Sequence, residues 1–168
     1  MRLDLKNVFD GQEPLIPFSM PLDLSGVEQW GERPFKEDIV IEGKVQNRAG
    51  IVTVTYTADY TLSANCARCL EPVEKKMHQE FVHTVVKHLN QEEDDDYIVC
   101  EDEILDMDQL AQDDILLELP IRLLCSEDCK GLCPICGCNL NKEQCSCKEP
   151  QWEVRHVSAF DDLEWPKD

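Results

Sequence analysis

Eight cysteines arranged as four close pairs constrain this chain more than any other feature of its sequence. Only one to three residues separate the two thiols of a pair, so both can hold one ion from a single turn. Zn²⁺ prefers a tetrahedron of soft ligands, and two such pairs supply four thiolates with little strain. The pattern therefore predicts a zinc-binding protein whose ligands are Cys66, Cys69, Cys125, Cys129, Cys133, Cys136, Cys145 and Cys147.

The last two pairs lie close together and predict one metal site. Cys133-Pro134-Ile135-Cys136-Gly137 is typical of a zinc knuckle, because a glycine permits the tight backbone after the second ligand. A loop of eight residues then leads to Cys145-Ser146-Cys147, a distance that a single small loop can span. We therefore assign Cys133, Cys136, Cys145 and Cys147 to one site.

The remaining two pairs predict a second site between distant parts of the chain. Cys66 and Cys69 follow a predicted strand, and Cys125 and Cys129 come about 55 residues later. A metal held by both pairs would close this long loop, as expected of a structural site. Four thiolates also leave no open position for water or substrate, which favours structural over catalytic zinc. We expect two Zn²⁺ ions per chain and no enzyme activity.

Cys100 and Cys138 fall outside these two groups. Cys138 could replace a neighbouring ligand, but we interpret both residues as free thiols. The alternative function is a zinc-stabilised thiol redox protein or enzyme that uses Cys66 and Cys69. The region lacks the βαβ pattern and the helix start that such a motif requires, and no phosphate-binding loop or other catalytic motif is present.

The charge of the chain bears on its partners. The formal net charge is -19, with 35 acidic against 16 basic residues. Proteins that bind nucleic acid usually present a basic face, so the charge favours a basic protein as the partner over naked RNA. Residues 92–96 and 101–103 offer a concentrated anionic patch. The alternative is direct RNA contact through a local basic face around Arg68, Lys75 and Lys76.

The same sequence predicts a cytoplasmic location. No run of 18 apolar residues is present, which excludes a predicted membrane span, and residues 1–10 lack the apolar stretch of a signal peptide. Ten cysteines without an export signal are expected to stay reduced, because the cytosol disfavours disulfides. No small-molecule substrate is indicated.

Hydrophobic alternation predicts an antiparallel sheet. In residues 38–63 the even positions from Val52 to Leu62 are apolar, threonines alternate with them, and residues 47–50 supply a turn. Residues 73–88 predict a further strand. Residues 1–37 contain four of the nine prolines and predict extended segments, with a strand over residues 2–8.

The second half of the chain predicts one main helix and an irregular end. Residues 107–119 carry an apolar stripe, Asp106 or Asp108 can cap them, and Pro120 stops the helix. Residues 90–103 predict an acidic loop, and residues 152–165 predict a short amphipathic helix. The fold class is therefore α+β: an antiparallel β-sheet and one main helix over residues 1–124, with a cysteine-rich zinc-binding segment, residues 125–168, packed on it as one folding unit.

The two cysteine blocks together resemble the YceD family, the large ribosomal RNA subunit accumulation proteins. They read CARCLEP at residues 66–72 and LPIRLLCSEDCKGLCPICG at residues 119–137. Residues 139–147 are similar to the cysteine-rich members of that family. The resemblance implies a ribosome biogenesis factor needed for accumulation of 23S ribosomal RNA. Its partner would then be a basic ribosomal protein or a pre-ribosomal particle.

Overall fold

Seven strands and two helices make up the described part of the chain, residues 1–88 and 97–147 of this computed structural model. The strands are β1 (Arg2–Asp4), β2 (Leu15–Leu22), β3 (Ile39–Arg48), β4 (Ile51–Asn65), β5 (Pro72–Val86), β6 (Tyr97–Val99) and β7 (Ile104–Asp106). The helices are α1 (Lys6–Phe9) and α2 (Met107–Leu117). The predicted α+β class, with α2 as the main helix, is confirmed.

The strands form one large sheet and one small sheet. The large sheet has the order β2-β3-β4-β5-β6, antiparallel from β2 to β5 and parallel between β5 and β6. The small sheet pairs β1 with β7, so that Leu3 lies opposite Leu105. The antiparallel meander expected from residues 38–88 is therefore present, and short strands extend the fold at its edges.

Strand β4 supplies the centre of the core. Its even-numbered side chains from Val52 to Ala64 are all buried, whereas the threonines between them lie on the opposite, more exposed face. This is the alternation that a half-buried strand requires. Gly43 of β3 lies opposite Tyr56, and its lack of a side chain leaves room for the Tyr56 Cβ and the Phe18 ring.

Helix α2 packs on the inner face of the large sheet through an apolar stripe and a polar contact. Its buried residues are Met107, Ala111 and Ile115. Asp106 caps the helix by accepting from the N–H groups of Asp108 and Gln109. Asp114 accepts a hydrogen bond from the Tyr56 hydroxyl and contacts His83 Nε2 at 2.6 Å. Burial, followed by the bond to Asp114, raises the pKa of Tyr56 well above its ordinary value.

The start of the chain differs from the predicted strand over residues 2–8, which was wrong in its second half. Strand β1 ends at Asp4, and residues Lys6–Phe9 form α1. The Asp4 side chain accepts from the Lys6 N–H at 2.9 Å and turns the chain. A helical turn then buries Leu5 and Val8 on the same side, which a strand could not do with residues three apart.

Two further strands lie where the sequence predicted extended chain or loop. Strand β2 contains Pro17 and Pro21, which a strand tolerates at a sheet edge because no partner needs the missing N–H. Strand β6 lies within the predicted acidic loop of residues 90–103, so that prediction was wrong for residues 97–99. Its three residues are too few to show a periodic pattern.

Several predictions concern residues that the structure does not describe. The terminal helix of residues 152–165 and the first half of the acidic loop, residues 90–96, lie outside the described ranges. The division at residue 124 into two parts stays a prediction. Within residues 1–88 and 97–147, no helix has the length and apolar character needed to cross a bilayer.

Candidate metal centres

The structure brings eight cysteine sulfurs together as two groups of four. The first cluster comprises Cys66, Cys69, Cys125 and Cys129, and the second cluster comprises Cys133, Cys136, Cys145 and Cys147. Within each group the four sulfurs lie within 4.8 Å of one another. These are the groupings expected from the spacing of the pairs. That the eight cysteines ligate metal stays a prediction.

The first cluster lies at the tip of the β4–β5 hairpin. Cys66 follows the last residue of β4, and its N–H donates to the Glu71 carbonyl at 2.8 Å. The Leu70 N–H donates to the Cys66 carbonyl at 3.0 Å, and Leu70 takes a positive φ of 59°. The tight turn thus directs the thiols of Cys66 and Cys69 towards the same point.

The segment that carries Cys125 and Cys129 is bound to this hairpin tip by hydrogen bonds. The Ala67 N–H donates to the Leu123 carbonyl at 2.9 Å, and the Arg68 guanidinium donates to the Cys129 carbonyl at 2.9 Å. Gly131, with φ +77°, passes so close to the Arg68 carbonyl that a Cβ there would lie 3.1 Å from its oxygen. The chain after α2 is therefore held at the hairpin tip by the backbone as well as by the cluster.

Burial and N–H donors shape the electrostatics of the first cluster. Cys66, Cys69 and Cys129 are buried, and Cys125 is exposed. Burial alone would raise the pKa of Cys66, but backbone N–H groups of Arg68, Cys125 and Cys69 lower it to about 6. At Cys129, burial also acts to raise the pKa of the thiol. Hydrogen bonds, first among them the one from the Asn141 side chain, outweigh burial, and the pKa is lowered. The thiolate form is therefore favoured at Cys66 and Cys129, whereas the pKa values of Cys69 and Cys125 are raised, chiefly through hydrogen bonds with neighbouring cysteines and burial.

The second cluster is built on the knuckle predicted from the sequence. The Gly137 N–H donates to the Cys133 carbonyl at 2.9 Å, and Gly137 has the positive φ of 74° that the tight backbone requires. The Ile135 N–H donates to Cys133 Sγ at 3.4 Å, and the Cys147 N–H donates to Cys145 Sγ at 3.3 Å. Backbone donors lower the pKa of Cys133 and, led by the Cys138 N–H, lower that of Cys136 to about 6.

Asn141, in the loop between Cys136 and Cys145 of the second cluster, contacts the first cluster, and sequence reasoning had assigned it no role. Its Nδ2 donates to Cys129 Sγ of the first cluster at 3.3 Å. Its Oδ1 accepts from the Lys130 N–H at 2.8 Å. A second contact reinforces the connection, since Lys142 pairs with Glu71 of the hairpin at 2.8 Å and holds the pKa of that carboxyl below its usual range. No pattern in the sequence marked Asn141 for this role, because its bond to Cys129 Sγ depends on how the two loops fold.

The sulfur positions fit a tetrahedral zinc ion. Zinc–thiolate bonds of about 2.3 Å place tetrahedral sulfurs about 3.8 Å apart. Cys66 and Cys129 Sγ lie 3.8 Å apart, and Cys69 and Cys125 Sγ lie 3.6 Å apart. In the second cluster Cys145 Sγ lies 3.5 Å from Cys136 Sγ and 3.3 Å from Cys133 Sγ. The donor set and its spacing therefore suit Zn²⁺ better than a hard cation, which prefers oxygen.

The two remaining cysteines have different surroundings. Cys100 is buried in the main core, where burial raises the pKa of its thiol. Cys138 is half-buried beside the second cluster and outside its group of four. The interpretation of Cys100 and Cys138 as free thiols stays a prediction.

Acidification is expected to release metal from both clusters, because protons compete with the ion for the thiolates. The pKa values of Cys66 and Cys136 are lowered from 9.0 to about 6. This contribution to ligand binding is therefore present in full above pH 9.0 and is lost as the pH falls through the folded-state value. Zinc transferred to a chromogenic chelator, measured against pH, checks the prediction. Retention of both ions at about pH 4 would contradict it.

Comparison with known proteins places these clusters in a family. Residues 54–164, more than half of the chain, match the family model described as large ribosomal RNA subunit accumulation protein YceD. The matched region contains both clusters. No solved structure matches the chain.

Curated relatives come from bacteria and plants. An uncharacterised protein of Mycobacterium tuberculosis is 34% identical over 104 residues, 60% of this chain and 50% of that protein. The uncharacterised YlbN of Bacillus subtilis is 32% identical over 100 residues, 54% of this chain and 56% of that protein.

A plant relative carries a functional name. The maize protein named large ribosomal RNA subunit accumulation protein YCED homolog 1, chloroplastic, is 24% identical over 161 residues, 76% of this chain and 55% of that protein. The chain thus spans about half the length of the curated relatives it matches. With a family match that covers more than half of its residues, including all four cysteine pairs, the chain belongs to the YceD family.

Proposed function

We propose that this protein is a ribosome biogenesis factor that is needed for accumulation of 23S ribosomal RNA and acts by binding. Membership of the YceD family supports a role connected with the large ribosomal subunit. The name of the maize relative supports the same connection. We propose that the partner is a basic ribosomal protein, free or within a pre-ribosomal particle, and that the two proteins interact in the cytoplasm.

The clusters, in this proposal, bind two Zn²⁺ ions and serve the fold. Four sulfurs around one ion complete its tetrahedron and leave no position for a reacting water molecule. The redox alternative is disfavoured by burial, because a reactive thiol needs solvent access and Cys66 and Cys69 are both buried. Binding is therefore a better role than catalysis for this protein.

The acidic surface on and before α2 is the observation that carries the proposed partner. Every charged side chain in residues 101–118 is a carboxylate. The acidic surface is defined by the exposed residues Glu101, Asp102, Asp106, Asp113 and Glu118. None of these five has a salt bridge among the described residues. Such a surface attracts a basic protein and repels phosphate.

Two exposed apolar side chains lie at the end of this acidic surface. Leu117 is 84% exposed and Ile121 is 90% exposed, the highest values among the large apolar side chains of the described residues. Apolar anchors beside charges are typical of protein interfaces, in which the anchor supplies affinity and the charges supply orientation and rate. The predicted patch of residues 92–96 lies outside the described residues, whereas Glu103 of the predicted patch pairs with Lys87.

The basic face considered as the RNA-binding alternative is less favoured. Lys75 and Lys76 are neighbours on β5 and therefore point to opposite faces of the sheet. Arg68 donates to the Glu127 and Cys129 carbonyls and takes part in holding the hairpin tip. The two lysines thus do not share one surface that could contact phosphate.

Capture of partners from lysate tests the proposal. Purified zinc-loaded protein is expected to retain ribosomal proteins of the large subunit after nuclease treatment, and to lose them as salt rises. Leu117→Ser together with Ile121→Ser is expected to weaken the interaction about tenfold or more, because two exposed anchors are removed. The interaction with ribosomal proteins is also expected to weaken when five carboxylates are neutralised together, namely Glu92, Glu93, Asp94, Asp95 and Asp96.

A matched control uses the same chemistry on another surface. Ile51 and Val82 are exposed apolar residues of the outer sheet face, so Ile51→Ser with Val82→Ser removes comparable side chains. That variant is expected to bind normally and to restore the ratio of 23S to 16S ribosomal RNA in cells that lack the protein. Loss of all partners on nuclease treatment, with normal binding by the α2 variant, would contradict a protein partner.

A further inference from the structure

One edge of the large sheet is open along most of β5. Strand β6 pairs with β5 only at residues 84–86. Among residues 1–88 and 97–147, no strand lies against the rest of that side of β5. An edge strand presents a row of N–H and C=O groups with which another chain can pair. The open edge, defined as residues 73–81 of β5, is therefore a place where a further strand can bind.

Hydrogen bonds at the two ends of β5 show which residues face outwards from the sheet. The Cys66 N–H donates to the Glu71 carbonyl at 2.8 Å, so the backbone of Glu71 faces β4. The Cys100 N–H donates to the Val86 carbonyl at 2.8 Å, so the backbone of Val86 faces away from β4. These two directions alternate along an antiparallel strand. The outward-facing residues of the open edge are therefore Glu74, Lys76, His78 and Glu80.

The opposite edge of the sheet is blocked by prolines. Strand β2 pairs with β3 over its whole length, and Pro17 and Pro21 can be accommodated only where their backbone faces outwards. Neither proline offers an N–H group to an added strand. The open edge contains no proline at all. The chain thus protects one edge of the sheet against a further strand and leaves the other edge accessible.

The inner face of the open edge is apolar. Val73, Met77 and Phe81 pack against the core and are only half-buried. A strand bound beside them would lie next to their uncovered sides, and its own inward side chains would extend the core. Apolar side chains on one face of that strand would therefore fit the open edge.

The outer face beside the open edge carries more carboxylates than cations. Glu74 and Glu80 are exposed there, and so is Asp59 of β4, whose Oδ1 lies 2.7 Å from His78 Nδ1. Lys76 lies among them on the same face. Opposite charges on neighbouring strands attract each other, so basic side chains suit the outer face of an added strand. A segment in which apolar and basic residues alternate fits both faces.

Helix α2 and the chain that follows it run alongside the open edge. Asp114 of α2 contacts His83 Nε2 at 2.6 Å, just beyond one end of the edge. Arg122 and Glu127 line a cavity together with Val73, at the other end. The end of the acidic surface on α2 lies in the chain between these two contacts. A partner bound to the acidic surface can therefore reach the open edge.

We propose that the open edge binds an extended segment of the protein partner, in which apolar and basic residues alternate, as a sixth strand of the large sheet. The inference rests on the proposed function for the partner, a basic ribosomal protein, and adds the mode of recognition. The backbone of the edge supplies affinity, and the two faces select the sequence. A second copy of this chain is a poorer occupant, because each copy carries a net charge of -19.

Amide hydrogen exchange of the zinc-loaded full chain, measured by NMR for each residue, tests this. In the free protein the outward N–H groups of Glu74, Lys76, His78 and Glu80 are expected to exchange fast, because no strand protects them. The N–H groups that face β4 are expected to exchange slowly. A synthetic peptide of alternating valine and lysine should slow the outward groups about tenfold or more, whereas a peptide of alternating valine and glutamate should not.

Slow exchange of the outward groups in the free monomer would overturn the inference, because the chain itself would then cover its edge. Slow exchange together with a doubled mass in sedimentation would also overturn it, in favour of a second copy. Capture of large-subunit ribosomal proteins without any slowing of the outward groups would leave the proposed function standing and overturn this mode of recognition.

A proline variant provides an independent test. Lys76→Pro removes an outward N–H and keeps the bonds to β4, so we expect it to weaken binding of the valine–lysine peptide about tenfold or more. Lys76→Thr removes the same charge but keeps the N–H, and Ser19→Pro adds a proline to the blocked edge. Both controls are expected to bind at least as well as wild type. Equal binding by Lys76→Pro would overturn the inference, and if that variant does not fold, the exchange measurement on wild type decides.

Discussion

Cys66→Ser is expected to destabilise the whole protein, whereas Cys136→Ser is expected to loosen only the second cluster. Cys66 is fully buried, and the first cluster joins the tip of the central hairpin to the chain beyond α2. Loss of a structural metal is among the few single changes that cost about 4–5 kcal/mol or more. For a chain of this size, that corresponds to a fall in melting temperature of roughly 10–20 °C.

Zinc content and thermal unfolding separate the two variants. Wild-type protein is expected to contain two zinc ions, and each variant one. The circular dichroism melt of Cys136→Ser should stay close to that of wild type, because Cys136 is exposed and its cluster belongs to a short loop. Cys100→Ser serves as a control for loss of a buried thiol that ligates nothing. Equal losses of stability from Cys66→Ser and Cys136→Ser would contradict the prediction that the first cluster stabilises the protein more than the second cluster does.

Gly43→Ala is expected to cost about 3 kcal/mol of folding free energy, a large effect for one methyl group. A Cβ on Gly43 would lie 2.5 Å from the Thr55 carbonyl oxygen and from Tyr56 Cβ, and 2.8 Å from Phe18 Cζ. Two of these atoms belong to the backbone or to its first side-chain carbon, so they cannot move without shifting β4. The added methyl group must therefore push β3 and β4 apart near Gly43.

Gly26→Ala provides the matched control. Nothing lies within 4 Å of a Cβ at Gly26, and its φ is outside the left-handed region. Urea unfolding of both variants and wild type should show a lower midpoint for Gly43→Ala alone, at an unchanged slope. A midpoint for Gly43→Ala within error of wild type would show that the sheet absorbs the extra methyl group without strain.

Much of the fold follows from local patterns, because burial imposes a period on each long element. In β4, residues at seven alternating positions are buried, and this alternation indicates a strand with one face in the core. In α2, an apolar stripe predicted a helix from residue 107, and of the two candidate caps, Asp106 and Asp108, the structure uses Asp106. Among the segments that escaped prediction, α1, β6 and β7 have four, three and three residues. Elements that short acquire their conformation from tertiary contacts rather than from a repeating pattern.

In the candidate site, too, features that depend on nearby residues could be predicted, and features that depend on distant residues were harder to predict. The knuckle at Cys133 and Cys136 is a local structure, so its glycine and spacing predict its geometry. The joining of Cys66 to Cys129 depends on the path of the chain across the sheet, and only elimination among the pairs suggested it. The role of Asn141 could not be predicted at all, because its bond to Cys129 Sγ requires the folded position of both loops.

The separation of the two cysteine pairs of the first cluster has a kinetic consequence. An ion caught by Cys66 and Cys69 during synthesis must wait for Cys125 and Cys129, whereas the ligands of the second cluster all lie within residues 133–147. Closing the longer loop costs about 1.6 kcal/mol more in free energy than closing the shorter one. The stabilising centre can therefore form only after more than three quarters of the chain has been made. Availability of zinc at the end of translation, rather than at its start, would then decide how much chain reaches its native state.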